Sequence, residues 1–206
     1  MKILQTPRLL LREFTPQDAD ALALVLSDPE TMRDYPAPYD RAGVEQWIER
    51  NRQRYQNDGV GLWAVLLKPT PCSADTPVRA GSAGAAGTRT GVSALHELIG
   101  DCGITCQEVE GERFYEIGYH LRRDFWGQGL ATEAAIACRD WAFAHLETDR
   151  LISLIRPENL PSRRVAERVG MTVWKEVNWR GLVHHVYSIE KGKAQASAPC
   201  QRSGPN

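Results

Sequence analysis

The chain is expected to fold as an α/β domain of the α+β kind, with about seven strands in a mixed, mostly antiparallel sheet and about four helices. Three observations lead there. A glycine-rich turn, Trp126-Gly127-Gln128-Gly129, stands between the strand-like run Phe114 to Leu121 and a helical run from Ala131 to His145. The next strand-like run, Leu151 to Ile155, then has to lie parallel to the first, because a right-handed crossover joins them. Glu110-Gly111 and Gly181 sit where tight turns would fold the flanking runs into antiparallel hairpins.

The elements follow in order. Arg8 to Phe14 is apolar enough for a first strand. Thr15-Pro16-Gln17-Asp18 reads as a helix start, with Thr15 as cap and Pro16 where no N–H partner is lost. That helix carries Leu22, Val25 and Leu26 on one side and ends near Asp28-Pro29. A loop holds Tyr35, Pro36, Pro38 and Tyr39; Asp40 then caps a second helix bearing Val44, Trp47 and Ile48, which stops before Gly59. Leu62 to Lys68 is a strand. Pro69 to Glu97 is rich in Pro, Ser, Thr, Ala and Gly and too poor in large apolar residues to offset its ordering entropy. It reads as a mobile insertion between adjacent strands, serving as a lid or as a tolerated hairpin expansion.

Leu98 to Gln107 and Glu112 to Leu121 form the next hairpin. After the glycine turn, Ala134, Ala137, Cys138 and Trp141 share a helix face whose small residues allow close approach to the sheet. Asn159 starts a further helix that ends at Gly170, a residue suited to a helix C-terminus. Val173 to Trp179 and Leu182 to Ile189 close the domain as a hairpin. Residues 1–191 therefore form one domain, and the Ser/Ala/Gly/Pro-rich stretch 192–206 is expected to be a disordered tail.

Composition narrows the function classes. A formal net charge of -1 argues against a general nucleic-acid footprint. No apolar run reaches the length of a membrane span, and the polar N-terminus does not read as a signal peptide. Five cysteines without a C-x-x-C pair suit a reduced, cytoplasmic protein with no metal centre. Cys102 and Cys106 read as packed strand residues rather than ligands.

The glycine turn carries the chemistry. Backbone N–H groups without partners at the positive end of a helix can bind phosphate, and Gly127 and Gly129 leave the approach clear. A P-loop would place Lys-Ser or Lys-Thr after the last glycine, and none is present. A dinucleotide fingerprint would need Gly or Ala where Thr132 stands and an acidic residue ending the next strand, which instead leads into Pro157. A pyrophosphate loop of another kind remains.

Strand, Trp-Gly-Gln-Gly-Leu-Ala-Thr-Glu-Ala, small-residue helix, strand, Asn159-Leu160-Pro161-Ser162 and Glu167-Arg168-Val169-Gly170-Met171 together resemble the GNAT acetyltransferases. The likeness is to the branch containing the ribosomal-protein alanine N-acetyltransferases, which the opening Thr6-Pro7-Arg8-Leu9-Leu10-Leu11-Arg12 also resembles. It covers roughly Thr6 to Lys191 apart from the insertion. Many GNAT relatives begin the loop with Gln or Arg, and Trp126 is the form usual in this branch.

The resemblance implies acetyl-CoA as co-substrate and a primary amine as acceptor, either a protein N-terminus or a small molecule. It implies no metal, nucleic-acid or membrane partner, and a monomer or homodimer. Its pantetheine arm would pair with the backbone of Ile117 to Leu121, with Tyr119, His120 and Leu121 contributing. A bulge near Gly118 could splay this strand and aim an N–H at the thioester oxygen; the alternative is a merely flexible residue. The pyrophosphate would lie over Gly127, Gln128, Gly129, Leu130, Ala131 and Thr132, with the Thr132 hydroxyl as a further donor.

Arg122 and Arg123 could meet the outer phosphates, or stand as solvated surface. Asn159 could contact the pantetheine amide or serve only as an N-cap, and Ser162 could donate to the departing thiolate or be a plain first-turn serine. Glu116 is the candidate base, because an amine of pKa about 8 to 10 arrives protonated and a carboxylate would attract it and relay its proton. Glu13, His120, His184, His185 and Tyr187 are the alternatives; His120 shares strand parity with Glu116, and His184 and His185 cannot face the same side. Tyr35, Tyr39, Trp47 and Trp179 could line the acceptor cleft or belong to the core. Two other functional classes compete, a non-catalytic acyl-CoA sensor of this fold and a nucleotide-binding α/β domain, the latter disfavoured by the absent Lys-Ser/Thr and by the Asn159-x-x-Ser162 element.

Overall fold

The computed structural model describes residues 2–69 and 96–194. The expected insertion at 69–97 and the expected tail at 192–206 thus fall mostly outside the described residues. Among the described residues the sheet has eight strands, in the order β1-β2-β3-β4-β5-β6-β8-β7. They are β1 (Lys2–Gln5), β2 (Leu9–Arg12), β3 (Leu62–Leu67), β4 (Glu97–Val109), β5 (Glu112–Leu121), β6 (Arg150–Ile155), β7 (Thr172–Trp179) and β8 (Leu182–Glu190). The helices are α1 (Ala19–Leu26), α2 (Arg41–Asn57), α3 (Leu130–His145), α4 (Leu160–Val169) and a last turn, α5 (Lys191–Ala194). The additional strand is β1, four residues at the sheet edge that are too short to show a period.

All neighbours pair antiparallel except β5 and β6, the pair the crossover rule required to be parallel. Two hairpins turn through consecutive positive-φ residues, Glu110 (52°) with Gly111 (85°) and Arg180 (53°) with Gly181 (80°). Such turns match the twist of their strands.

The two largest cores lie on opposite faces of the sheet. On one, α3 and α4 cover Val65, Ile99, Ile104, Ile117, Leu151 and Tyr187. On the other, α1 and α2 cover Leu62, Ala64, Leu66 and Leu98. Each large apolar side chain so buried contributes about 1.5–3 kcal/mol relative to exposure. Helix starts follow the sequence signals: Asp40 accepts from Gly43 N at 2.7 Å, and Asn159 Oδ1 accepts from Ser162 N at 3.1 Å.

The bulge lies on β4 rather than on β5. Against β3 the register slips between Val65 and Leu66, which leaves Ile99 over, while β5 pairs with β4 without a shift from Glu112 to Leu121. A side chain is excluded at Gly100, where a Cβ would lie 2.0 Å from the His120 carbonyl oxygen.

The opening segment is latched onto the start of α3. Glu133 accepts from Thr6 Oγ1 at 2.6 Å, from Arg8 N at 2.9 Å and from Arg8 Nε at 2.6 Å. Burial pushes its carboxyl pKa up, but these hydrogen bonds outweigh it and hold the group below the ordinary glutamate value. A lowered folded pKa means stability that is present above the unfolded value and is lost as pH falls through the folded one. Glu133→Gln is therefore expected to cost about 1–2 kcal/mol near neutrality, a modest figure because Arg8 is half exposed. In denaturant melts at several pH values, the gap to wild type should narrow on acidification below 4.5; a gap independent of pH would disprove the latch.

Candidate active site

The site begins where two strands part. β5 and β6 pair only at Tyr115↔Leu151 and Glu116↔Ile152. Beyond that point side chains span the gap: Ser153 Oγ donates to the Ile117 carbonyl at 2.8 Å, and Leu154 N donates to Glu116 Oε1 at 3.1 Å. Main-chain direction alternates along β5. His120 N faces β4, donating to Asp101 Oδ1 at 3.1 Å, and Arg122 N donates to the Ile99 carbonyl at 2.8 Å. Ile117, Tyr119 and Leu121 therefore turn their main chain toward the gap. Of the three residues expected to meet an extended arm, Tyr119 and Leu121 face it with backbone, and His120 does not.

At the mouth of the gap lies the glycine turn. Gly127 and Gly129 have φ of 74° and 75°, a left-handed conformation open to glycine at little cost. A Cβ at Gly127 would meet nothing within 4 Å among the described residues, so the turn presents bare backbone. The first N–H groups of α3, at Leu130, Ala131 and Thr132, have no acceptor within the helix. Gln128 holds the turn itself, its Nε2 donating to the Asp124 carbonyl at 3.0 Å, while Arg8 donates to the Gln128 carbonyl at 2.9 Å. Trp126 Nε1 donates to the Leu121 carbonyl at 2.7 Å, which pins the turn to the end of β5.

One hydroxyl tests whether a phosphate fits. Thr132 Oγ1 is buried and has no hydrogen-bond partner among the described residues. A buried polar atom left so costs about 1–3 kcal/mol, and a phosphate oxygen over the turn would satisfy it. Thr132→Val is expected to leave Tm unchanged or raised, while weakening CoA binding about 5–10-fold, the loss of roughly 1 kcal/mol. Calorimetry and a melt on one sample decide this: unchanged affinity would show that the hydroxyl does not meet the ligand.

The start of α4 faces the gap from the other side. Ser162 is fixed through its main chain, its N bonded to Asn159 and its carbonyl accepting from Tyr119 Oη at 2.8 Å. Neither bond uses its hydroxyl. Asn159 uses its amide oxygen to accept from Ser162 N, and its NH₂ is the group that can donate outward.

On the α1/α2 face, β5 presents Glu116 and His120. Glu116 Oε2 accepts from Gln107 Nε2 at 2.8 Å and from Thr105 Oγ1 at 3.3 Å, in addition to the Leu154 bond on Oε1. Burial raises its pKa against the pull of these three donors. Its carboxylate takes over an N–H that a continued β5–β6 ladder would have used, so Glu116 helps to hold the strands apart.

His120 Nδ1 lies 2.7 Å from Asp101 Oδ1, Asp101 Oδ2 accepts from Trp47 Nε1 at 2.9 Å, and Tyr35 Oη lies 2.7 Å from His120 Nε2. Tyr35 and Trp47 also pack on the His120 ring at centroid distances of 5.3 and 5.5 Å, and Tyr39 packs on Trp47 at 5.4 Å. Three of the four expected aromatic wall residues thus form one cluster. Trp179 makes its contacts elsewhere, with His184 and the Glu108 carbonyl.

The remaining base alternatives lie apart from this cluster. His184 is buried on β8, its Nδ1 2.9 Å from the Leu182 carbonyl oxygen. His185 lies 3.5 Å from Glu176, and Tyr187 is buried where it accepts from Arg163 Nε at 3.0 Å. Glu13 lines a separate hollow with Arg52 and Tyr55. Sequence reasoning missed Asp101, Thr105, Gln107, Ser153 and the Glu133 latch. Asp101 could have been suspected as a charged residue inside an apolar strand run, Leu98 to Ile104.

Comparison with known proteins agrees with this geometry. Residues 8–172 match the family described as the acetyltransferase (GNAT) domain. YkkB of Bacillus subtilis (strain 168) is 33% identical over 175 residues, covering 84% of this chain and 87% of that protein. An acetyltransferase crystal structure from Agrobacterium tumefaciens is 28% identical with a TM-score of 0.68, covering 91% of this chain and 93% of that one. RimL, a ribosomal L7/L12 alpha-N-protein acetyltransferase solved with coenzyme A, shares the fold at a TM-score of 0.65 and 17% identity, covering 92% and 98% of the two chains. By the extent of the match and the architecture it accompanies, this chain belongs to the GNAT acetyltransferase family.

Proposed function

We propose that this enzyme moves the acetyl group of acetyl-CoA to a primary amine, on a protein N-terminus or a small molecule, by direct attack of the amine on the thioester. The observation that carries the reading is the buried Thr132 hydroxyl, unpartnered among the described residues, at a turn of bare backbone that opens onto the gap between β5 and β6. Along this path Gly127 to Thr132 hold the pyrophosphate, and the main chain of Tyr119 and Leu121 orients the pantetheine arm. Asn159 donates its NH₂ to an amide of that arm.

In the reaction a C–N bond forms, the C–S bond breaks, and the nitrogen, cationic once bonded, releases one proton to solvent. Glu116 supplies the negative charge that draws the acceptor's ammonium into the cleft, and Ser162 donates its hydroxyl proton toward the thiolate, recovering one from solvent. Positioning of amine and thioester in one gap supplies much of the acceleration. The name of RimL, with a protein N-terminus as acceptor, supports the amine class without fixing its identity.

The test is a thiol-release screen with acetyl-CoA over proteins, N-terminal peptides, polyamines and aminoglycosides. Release with at least one amine is expected. Tight CoA binding without release in any class would instead favour an acyl-CoA sensor, and absent binding would defeat both readings.

A further inference from the structure

The geometry points to a proton relay of Tyr35, His120 and Asp101 as the group that takes the acceptor's proton, an inference that rests on the amine-acetylation reading above. Asp101 is fully buried in β4, yet three donors converge on it: Trp47 Nε1, His120 N and the His120 ring. A carboxylate against Nδ1 keeps the proton on that nitrogen, so Nε2 is left as an acceptor. Tyr35 Oη, 2.7 Å from Nε2, is then the donor. The arrangement repeats the logic of a hydroxyl activated by an oriented imidazole, with a phenol in the hydroxyl's place.

The proton balance is simple. The acceptor's ammonium gives its proton to Tyr35 Oη as the phenol proton passes to His120 Nε2. The ammonium becomes an amine with a free lone pair, the phenol ends unchanged, and the imidazole becomes an imidazolium paired with Asp101. Tyr35 is 39% exposed, so the proton leaves to solvent by the same phenol.

Charged and titratable groups face the imidazole from each packed element. They are Asp101 on β4, Glu116 on β5 and Tyr35 on the loop before α2, while Asp34 and Tyr39 act on Tyr35 and Arg54 on Glu116. Asp101 meets no substrate and is a positioning residue.

Two measurements decide the matter. Nitrogen-15 NMR of the histidine side chains should find His120 protonated on Nδ1 and bare on Nε2, with Asp101→Asn shifting the proton to Nε2. A wild-type His120 protonated on Nε2 would overturn the relay, and this readout needs no acceptor. In kinetics with an amine that wild type acetylates, Tyr35→Phe should lower kcat/KM about 10–100-fold at neutral pH with CoA affinity unchanged. The deficit should shrink as pH approaches the amine's own pKa, where free amine needs no base. An unchanged rate, or a deficit independent of pH, would contradict the inference. Failure of the acetylation reading would look different, with wild type itself releasing no thiol.

Discussion

Gly129→Glu is expected to abolish CoA binding, a loss of at least about 100-fold, while the protein stays folded. Two effects act together. At φ of 75° a non-glycine residue strains the turn by about 1–2 kcal/mol. The carboxylate then occupies the approach to the orphan N–H groups of α3, where it competes for the site and repels a diphosphate. Gly129→Ala separates the two, because a Cβ there meets only Arg8, at 3.7 Å. The alanine variant should lose affinity several-fold and the glutamate variant nearly all of it. Calorimetry with CoA reads both, and intact binding in Gly129→Glu would show that the phosphate site lies elsewhere.

Glu116→Gln should damage both rate and fold. The substitution removes the charge that draws the ammonium, and it turns an acceptor into a donor opposite Gln107 Nε2, which now donates to Glu116 at 2.8 Å. The new amide can still accept from Leu154 N through its oxygen, but it then aims its NH₂ at Gln107. We expect kcat/KM to fall about 100-fold or more and stability to fall by about 1–3 kcal/mol. CoA affinity should change little, since the pyrophosphate turn is built from other residues. A variant with wild-type turnover would remove Glu116 from the reaction and leave it only the role of holding β5 and β6 apart.

The architecture was legible from the sequence wherever local chemistry and burial agreed. The glycine turn, the helix caps at Asp40 and Asn159 and the two hairpins each carry a local signature, and the parallel pair follows from chain handedness. What escaped was set by register between distant segments. The bulge falls on β4 because Gly100 backs onto the His120 carbonyl, a contact between strands that no local pattern announces. Glu116 and His120 could be put on one face by parity. That Glu116 would take the Leu154 N–H, and His120 a buried aspartate 19 residues before it, depends on how β4, β5 and β6 align. The Glu133 latch likewise joins residues more than a hundred positions apart. Site residues belonging to one turn were thus readable, and those belonging to a strand alignment were not.

The most direct test of the account follows the acetyl group itself. Acetyl-CoA labelled in the acetyl carbons is incubated with the enzyme and an amine that gives thiol release, and the products are resolved by mass spectrometry. The label is expected on the amine nitrogen in equal amount to the free CoA formed. Label recovered as free acetate, or retained on CoA with no acetylated amine, would contradict it.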